Sequence, residues 1–311
     1  MLVFGPAPSR RLGHSLGVNN VPPKICSYAC VYCQVGQTTR LSLERRPFYP
    51  PAAITAAVTA RLAVLQAAGK RVDAITFVPD GEPTLDLHLA ETLAALRAFG
   101  IRLAVISNAS LIWRADVRAA LCAADWVSLK MDAVRPEAWR RVNRAHGHLD
   151  LPAILEGAVA FAHEFGGTLV TETMLVHGRN DAADDVTAVA DYLTRLRPHA
   201  AYLSVPTRPP AEPWVRPPAP HALARAHQVL ADHGVPVEYL IAYEGDDFTV
   251  TGDAAAELLH ITAVHPMRET AVHACLARAG AGADVLEALV TNGRLVRVLY
   301  EGHPYYVRAH A

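Results

Sequence analysis

Short apolar runs alternate with longer amphipathic stretches along most of this chain, and that alternation restricts it to a parallel β-sheet covered by helices. The apolar runs fall at residues 12–18, 72–78, 101–106, 126–130, 168–176 and 201–205. The helical stretches fall at 52–68, 87–99, 114–123, 151–165, 182–196 and 221–233. Strands buried on both faces read as near-continuous apolar runs, and parallel neighbours need crossover helices, so six βα units are predicted. The candidates are an open doubly wound sheet and a barrel or partial barrel. No Gly-x-Gly-x-x-Gly follows the first strand, and polar residues cluster after the strand ends, where a parallel barrel carries its chemistry.

With 311 residues, 51% hydrophobic and 19% charged, the chain can bury one large core and a smaller second one. The formal charge of -1 announces no polyanionic partner in bulk. The start lacks the charged segment and apolar run of a secretory signal, and no stretch of about eighteen uncharged apolar residues occurs, so a cytoplasmic protein without a membrane partner is expected.

A proline-dense connection at 206–220 follows the sixth strand. A helix, a strand at 237–242 and Glu244-Gly-Asp-Asp come next, and a domain boundary is expected near 255, dividing 1–255 from 256–311. The tail reads as helix 268–278, helix 283–291 and β-runs at 295–300 and 305–307, the order of a winged helix. From Leu258 on it holds five arginines against four acids, and 283–291 carries two acids and no base. A DNA-reading helix normally shows a basic stripe, so a lid or protein-docking role suits this tail better.

The chemistry is announced by Cys26-Ser-Tyr-Ala-Cys30-Val-Tyr-Cys33, three cysteines in a C-x3-C-x2-C loop, with only Cys122 and Cys275 elsewhere. A structural zinc site needs four closed ligands, which would recruit His14 or another histidine; a disulfide framework suits neither the odd count nor the crowding. Three thiolates on an iron-sulfur cubane leave one iron open to a small ligand. Cys122 and Cys275 read as buried small apolar residues.

Polar residues gather at the strand ends. Asp80-Gly81-Glu82-Pro83 follows the second strand and is also a good turn sequence; Ser107-Asn108-Ala109-Ser110 follows the third. In Ser128-Leu129-Lys130-Met131-Asp132, Ser128 and Lys130 share one face, and Lys130 can anchor a carboxylate or, if desolvated, form a Schiff base. Glu172 interrupts an apolar strand, and burying it unpaired is costly, so it is expected to line a cavity. Arg10 and Arg11 before the cysteine loop and Arg208 after the sixth strand can clamp phosphate or carboxylate groups.

The cysteine spacing, with Tyr32 before the last cysteine, resembles the radical S-adenosylmethionine (SAM) superfamily. Gly5-Pro-Ala-Pro-Ser9-Arg-Arg-Leu-Gly13, the 26–36 loop, Glu44-Arg45-Arg46-Pro-Phe-Tyr-Pro50, Asp80-Gly-Glu-Pro-Thr84 and Val205-Pro-Thr-Arg-Pro-Pro210 resemble a branch related to the wyosine-base (4-demethylwyosine) synthases that act on tRNA. The resemblance implies a partial (β/α)6 TIM-like barrel, a [4Fe-4S] cluster on Cys26, Cys30 and Cys33, and SAM on its open iron. It further implies Tyr32 at the adenine, Gly81 and Glu82 at the SAM amino group, Ser107, Asn108 and Ser128 in cofactor binding, and Lys130 and Glu172 in catalysis. Asp80 departs from the motif, which has a first glycine there. Wyosine synthases also hold a second cluster on three upstream cysteines and use an upstream lysine for pyruvate; here no cysteine precedes Cys26, and Lys24 is the only upstream lysine. The implied partners are a donor such as flavodoxin or ferredoxin and a tRNA base or nucleotide-like substrate, hence RNA. The competing classes are an iron-sulfur redox sensor that binds DNA through the winged helix, and a zinc-stabilised binding protein.

Overall fold

The computed structural model of the chain describes residues 2–241, 245, 248 and 253–309. Strands β1 (Val3–Ser9) and β2 (Gly13–Val18) form an antiparallel pair, and the short parallel strands β3 (Ile25–Cys26) and β4 (Arg40–Leu41) bracket the cysteine loop. Then come α1 (Pro51–Ala67), β5 (Ala74–Phe77), α2 (Leu89–Leu96), β6 (Arg102–Ser107), α3 (Ala115–Leu121) and β7 (Trp126–Lys130). The series continues with α4 (Pro136–Asn143), α5 (Leu151–Glu164), β8 (Thr168–Met174), α6 (Ala183–Leu196), β9 (Ala200–Ser204), α7 (Pro220–Asp232) and β10 (Val237–Leu240).

Eight strands make one sheet in the order β1-β2-β5-β6-β7-β8-β9-β10, and only β1 runs antiparallel to its neighbour. Among the described residues β1 and β10 are its two edges, so the curved sheet is a partial barrel rather than a closed one. All six predicted strands are present. Edge strand β1 is an addition: Pro6 and Pro8 argue against a central strand, but an edge strand pairs on one side only and tolerates them. Helix α4 is another, since its Arg-rich sequence buries only Ala138, Trp139, Val142 and Asn143.

Local chemistry sets the helix starts. Pro51, Pro136 and Pro220 open α1, α4 and α7, where a missing N–H costs nothing. Asp150 caps α5 by accepting from Ala153 N at 3.1 Å. The main core packs one face of the sheet against the helices, with Phe77, Leu93, Val105, Leu129 and Phe161 fully buried, while Ala74, Ala104, Trp126 and Val170 form a smaller cluster on the other face. Cys275 is buried, whereas Cys122 is exposed at the end of α3, contrary to expectation: it stands past the last helical turn, on the rim.

The tail consists of α8 (Ala254–Val264), β11 (Met267–Arg268), α9 (Glu269–Arg278), α10 (Ala283–Thr291), β12 (Leu295–Tyr300) and β13 (His303–Arg308). Its three strands form an antiparallel sheet in the order β11-β13-β12. It has an apolar cluster of its own, including Phe248, Leu258, Met267, Val272 and Leu286. The end of the strand expected at 237–242, Ala242, and Glu244, Asp246 and Asp247 of the following turn lie outside the described residues. Among the described residues no helix is long and apolar enough to cross a membrane.

Candidate functional site

The parallel strands all end on one side of the sheet, and there a cavity of about 290 Å³ opens. Cys26, Cys30 and Cys33 line it together with Tyr32, Gly81, Glu82, Ser107, Asn108, Lys130 and Glu172. Residues up to 146 positions apart in sequence meet because each lies near or just beyond the carboxyl end of a strand.

The cysteine loop is stitched to its surroundings by backbone. Val31 N donates to Val142 O at 2.9 Å and Ala29 N to Asn143 O at 3.1 Å, so the end of α4 carries the loop. Beneath it Tyr28 is buried edge-on against Trp139, whose Nε1 donates to Tyr28 Oη at 3.1 Å. Asn108 Nδ2 donates to Cys26 Sγ and Asn143 Nδ2 to Cys30 Sγ, each at 3.4 Å. Donors aimed at sulfur stabilise thiolates. Burial first, then the charges of Glu82 at Cys26, Asp132 at Cys30 and Asp80 at Cys33, push the three thiols above their ordinary value, Cys30 to about 12, and a bound cationic centre would offset this and favour the thiolates. The donor set fits an iron-sulfur cluster, which spreads its sulfurs over separate irons. Among the described residues no three such side chains are gathered around a single-ion site. His14 stands at the far, amino-terminal end of β2, bonded to Asp73 at 3.0 Å.

Gly81 forms an isolated bridge with Ile25, and a Cβ on it would lie 2.3 Å from Ile25 O. Only glycine permits that contact. Glu82 is 1% exposed. Its Oε1 accepts from Thr84 N (3.1 Å), Thr84 Oγ1 (2.6 Å) and Ser107 Oγ (2.7 Å), and Oε2 accepts from Asn108 N at 2.8 Å. Burial nevertheless exceeds the effect of these bonds and raises the Glu82 pKa. The carboxylate is thus committed to tying the ends of β5 and β6 together. Ser128 does not line the cavity: it shares a face with Lys130 but sits two residues deeper, roughly 6.6 Å, and is fully buried with no hydrogen-bond partner for its hydroxyl among the described residues.

A charged network forms the opposite wall. Glu172 accepts from Arg11 Nη1 at 2.7 Å, Lys130 Nζ at 3.1 Å and Ser204 Oγ at 2.9 Å. Burial favours its neutral form, but Lys130 and Arg11 overcome this and hold it well below the usual carboxylate range. Burial likewise opposes the Lys130 charge, yet Asp132 and Glu172 raise its pKa, so it is a firm ammonium. An amine held charged this way favours anchoring over Schiff-base chemistry, which needs the neutral amine. The strand-end alternative of a lysine pointing into water does not hold. Arg11, in turn, lies against the rings of Trp126 and Tyr202 at 5.8 and 5.7 Å. Asp132 accepts from Tyr32 Oη, from Asn143 Nδ2 at 2.7 Å and from Met174 N at 2.8 Å, orienting the aromatic over which Lys130 sits. Asn143 was not foreseen as a site residue, since no spacing links it to the loop, whereas Asp132 belongs to the polar run at the end of β7 and reads equally as a turn residue there.

The tail roofs the cavity. Val264 lines it and accepts from Gln34 Nε2 at 3.5 Å, while Arg208 Nη1 donates to Gln34 Oε1 at 2.6 Å.

The family profile described as the radical SAM superfamily matches residues 20–193, over half of the chain. This chain belongs to the radical SAM superfamily. Its cofactors are a [4Fe-4S] cluster and SAM. The chain is 39% identical over 311 residues to the UPF0026 protein MJ1312 of Methanocaldococcus jannaschii, covering 99% of this chain and 96% of that protein. It is 36% identical over 209 residues to the UPF0026 protein slr1464 of Synechocystis, covering 67% and 76%. The radical SAM fold is shared with a radical SAM methyltransferase from Sphaerobacter thermophilus (TM-score 0.56, 18% identity, 73% of this chain and 67% of that one). It is shared too with TYW1 bearing a lysine-pyruvate adduct (TM-score 0.53, 18% identity, 70% and 73%).

Proposed function

We propose that this radical SAM enzyme cleaves SAM reductively in the cavity at the strand ends and abstracts hydrogen from a nucleotide-like substrate, a tRNA base being the favoured case. The convergence of Cys26, Cys30 and Cys33 with the Gly81 turn and Tyr32 on one cavity carries the reading. When bound, the reduced cluster supplies one electron that splits SAM into methionine and a 5′-deoxyadenosyl radical, which takes a hydrogen atom from substrate. The three thiolates hold the cluster, with Asn108 and Asn143 donating to sulfur. Tyr32 meets the adenine, Ser107 and Asn108 shape the cofactor side, and Glu82 positions the turn that bears Gly81. Lys130 and Glu172 anchor polar groups of SAM or substrate.

The nucleotide-like substrate rests on the sequence resemblance to the wyosine-base synthases, since a shared fold alone does not fix a substrate. Residues 1–25 offer no cysteine for a second cluster of the wyosine-synthase kind. The tail is read as a winged helix acting as a lid, with the division of the chain between residues 255 and 256, in the first turn of α8; its separate apolar cluster and its roof contact through Val264 support this. A flavodoxin or ferredoxin in the cytoplasm would deliver the electron.

The test is anaerobic reconstitution followed by SAM and dithionite. Wild-type protein is expected to release 5′-deoxyadenosine, and Cys30→Ala to release none while losing its iron. A colourless protein loaded with zinc would overturn the reading.

A further inference from the structure

Asn143, the last residue of α4, is 2% exposed and divides its side-chain hydrogen bonds between a carboxylate and a sulfur. Its Nδ2 donates to Asp132 Oδ2 at 2.7 Å and to Cys30 Sγ at 3.4 Å, so both amide hydrogens are used. The orientation of the amide follows from chemistry, because an amide oxygen turned to the same place would face two acceptors, a carboxylate and a thiolate.

Both ends of this link are fixed. The Asp132 side chain is fully buried and also accepts from Tyr32 Oη and from Met174 N at 2.8 Å, with Lys130 Nζ 3.3 Å away. The Cys30 end is set by backbone, since Ala29 N and Val31 N, on either side of the cysteine, donate to Asn143 O and Val142 O. The comparable donor to Cys26 is held less firmly: Asn108 is half-buried, and its Nδ2 rests on the neutral hydroxyl of Ser27 at 2.9 Å. After burial, the charge of Asp132 is what most raises the Cys30 pKa, and the same charge opposes an electron added near that sulfur.

Reduction adds one electron and no proton to a cluster held by these cysteines, and part of the added charge falls on the ligand sulfurs. An N–H aimed at a ligand sulfur favours the reduced state, and it does so most where no water can take its place. We propose that Asn143, oriented by Asp132, is a positioning residue that raises the reduction potential of the cluster through its bond to Cys30 Sγ, offsetting the charge of the carboxylate that holds it. The electron comes from a one-electron donor of the ferredoxin or flavodoxin class. The inference rests on the cluster and its reduction, and not on SAM cleavage or on the substrate.

Redox titration of the anaerobic, cluster-loaded full chain with dithionite, followed by electron paramagnetic resonance in the absence of SAM, tests it. Asn143→Leu keeps the size of the side chain and removes both donors; it is expected to lower the midpoint potential by about 59 mV, a tenfold loss in the one-electron equilibrium. Electron-nuclear double resonance of the same reduced samples in light and heavy water separates the sulfur bond from mere uncovering of Asp132: wild type should show an exchangeable proton coupling that Asn143→Leu lacks. Asn143→Ala should shift the midpoint in the same direction and replaces the leucine variant where that one does not hold iron. A loaded Asn143 variant with the wild-type midpoint, proton couplings unchanged from wild type, or loss of iron in both variants overturns the proposal, since each leaves Asn143 with the holding of the loop alone. Release of 5′-deoxyadenosine by wild type is scored separately: a shifted midpoint without release sinks the radical reading alone, and release with an unshifted midpoint sinks this one.

Discussion

Glu172 shows how a single residue exposes its role. A carboxylate within an apolar strand signals a cavity, and the structure puts it between Arg11 and Lys130 at 7% exposure. Its partners, by contrast, were not legible: Arg11 lies 161 positions away, and nothing in spacing joins them. Removing one member of a buried charge group leaves the others uncompensated, so Glu172→Gln is expected to cost about 3–5 kcal/mol in urea denaturation. The folded-state pKa is depressed, so the unfolded chain binds more protons on acidification. The stabilisation is therefore complete above the ordinary glutamate value of about 4.3 and fades as pH falls below it. Glu172→Gln should flatten the stability profile in that acidic window, and an unchanged slope would contradict the network.

At the scale of elements, β5 and the cysteine loop meet through Gly81. The Asp-Gly-Glu-Pro sequence reads equally as an ordinary turn, and the close approach to Ile25 O becomes visible only when both segments are placed. Gly81→Ala is expected to cost about 1–3 kcal/mol through overpacking and to lower the iron retained after reconstitution, measured as iron per chain. Helix starts, by comparison, were readable locally. Asp150→Ala should cost about 1 kcal/mol by chemical denaturation, because only one cap bond is lost at the surface, and cluster content should not change.

At the scale of the molecule, the tail is fastened at several points around the cavity. Tyr305 Oη donates to Thr207 O at 2.7 Å, Tyr300 Oη to Pro206 O at 3.1 Å, and Arg61 bridges Glu257 at 2.7 Å to Gly5 O. Each fastener joins the tail to the barrel rather than to itself. Tyr305→Phe should cost about 1 kcal/mol and speed amide exchange in 254–309 while leaving β5 to β9 protected; uniform exchange across the chain would argue against a separately opening roof.

Periodicity and the cysteine spacing settled the parallel α/β sheet and the cofactor chemistry, because both are written within a few consecutive residues. The edge strand β1, the exposed Cys122, the burial of Ser128 below the cavity and the full commitment of Glu82 were decided by tertiary structure. Each depends on what a residue meets across the sheet, and side-chain alternation tells which face a residue takes but not how deep it lies or which distant group has already claimed it.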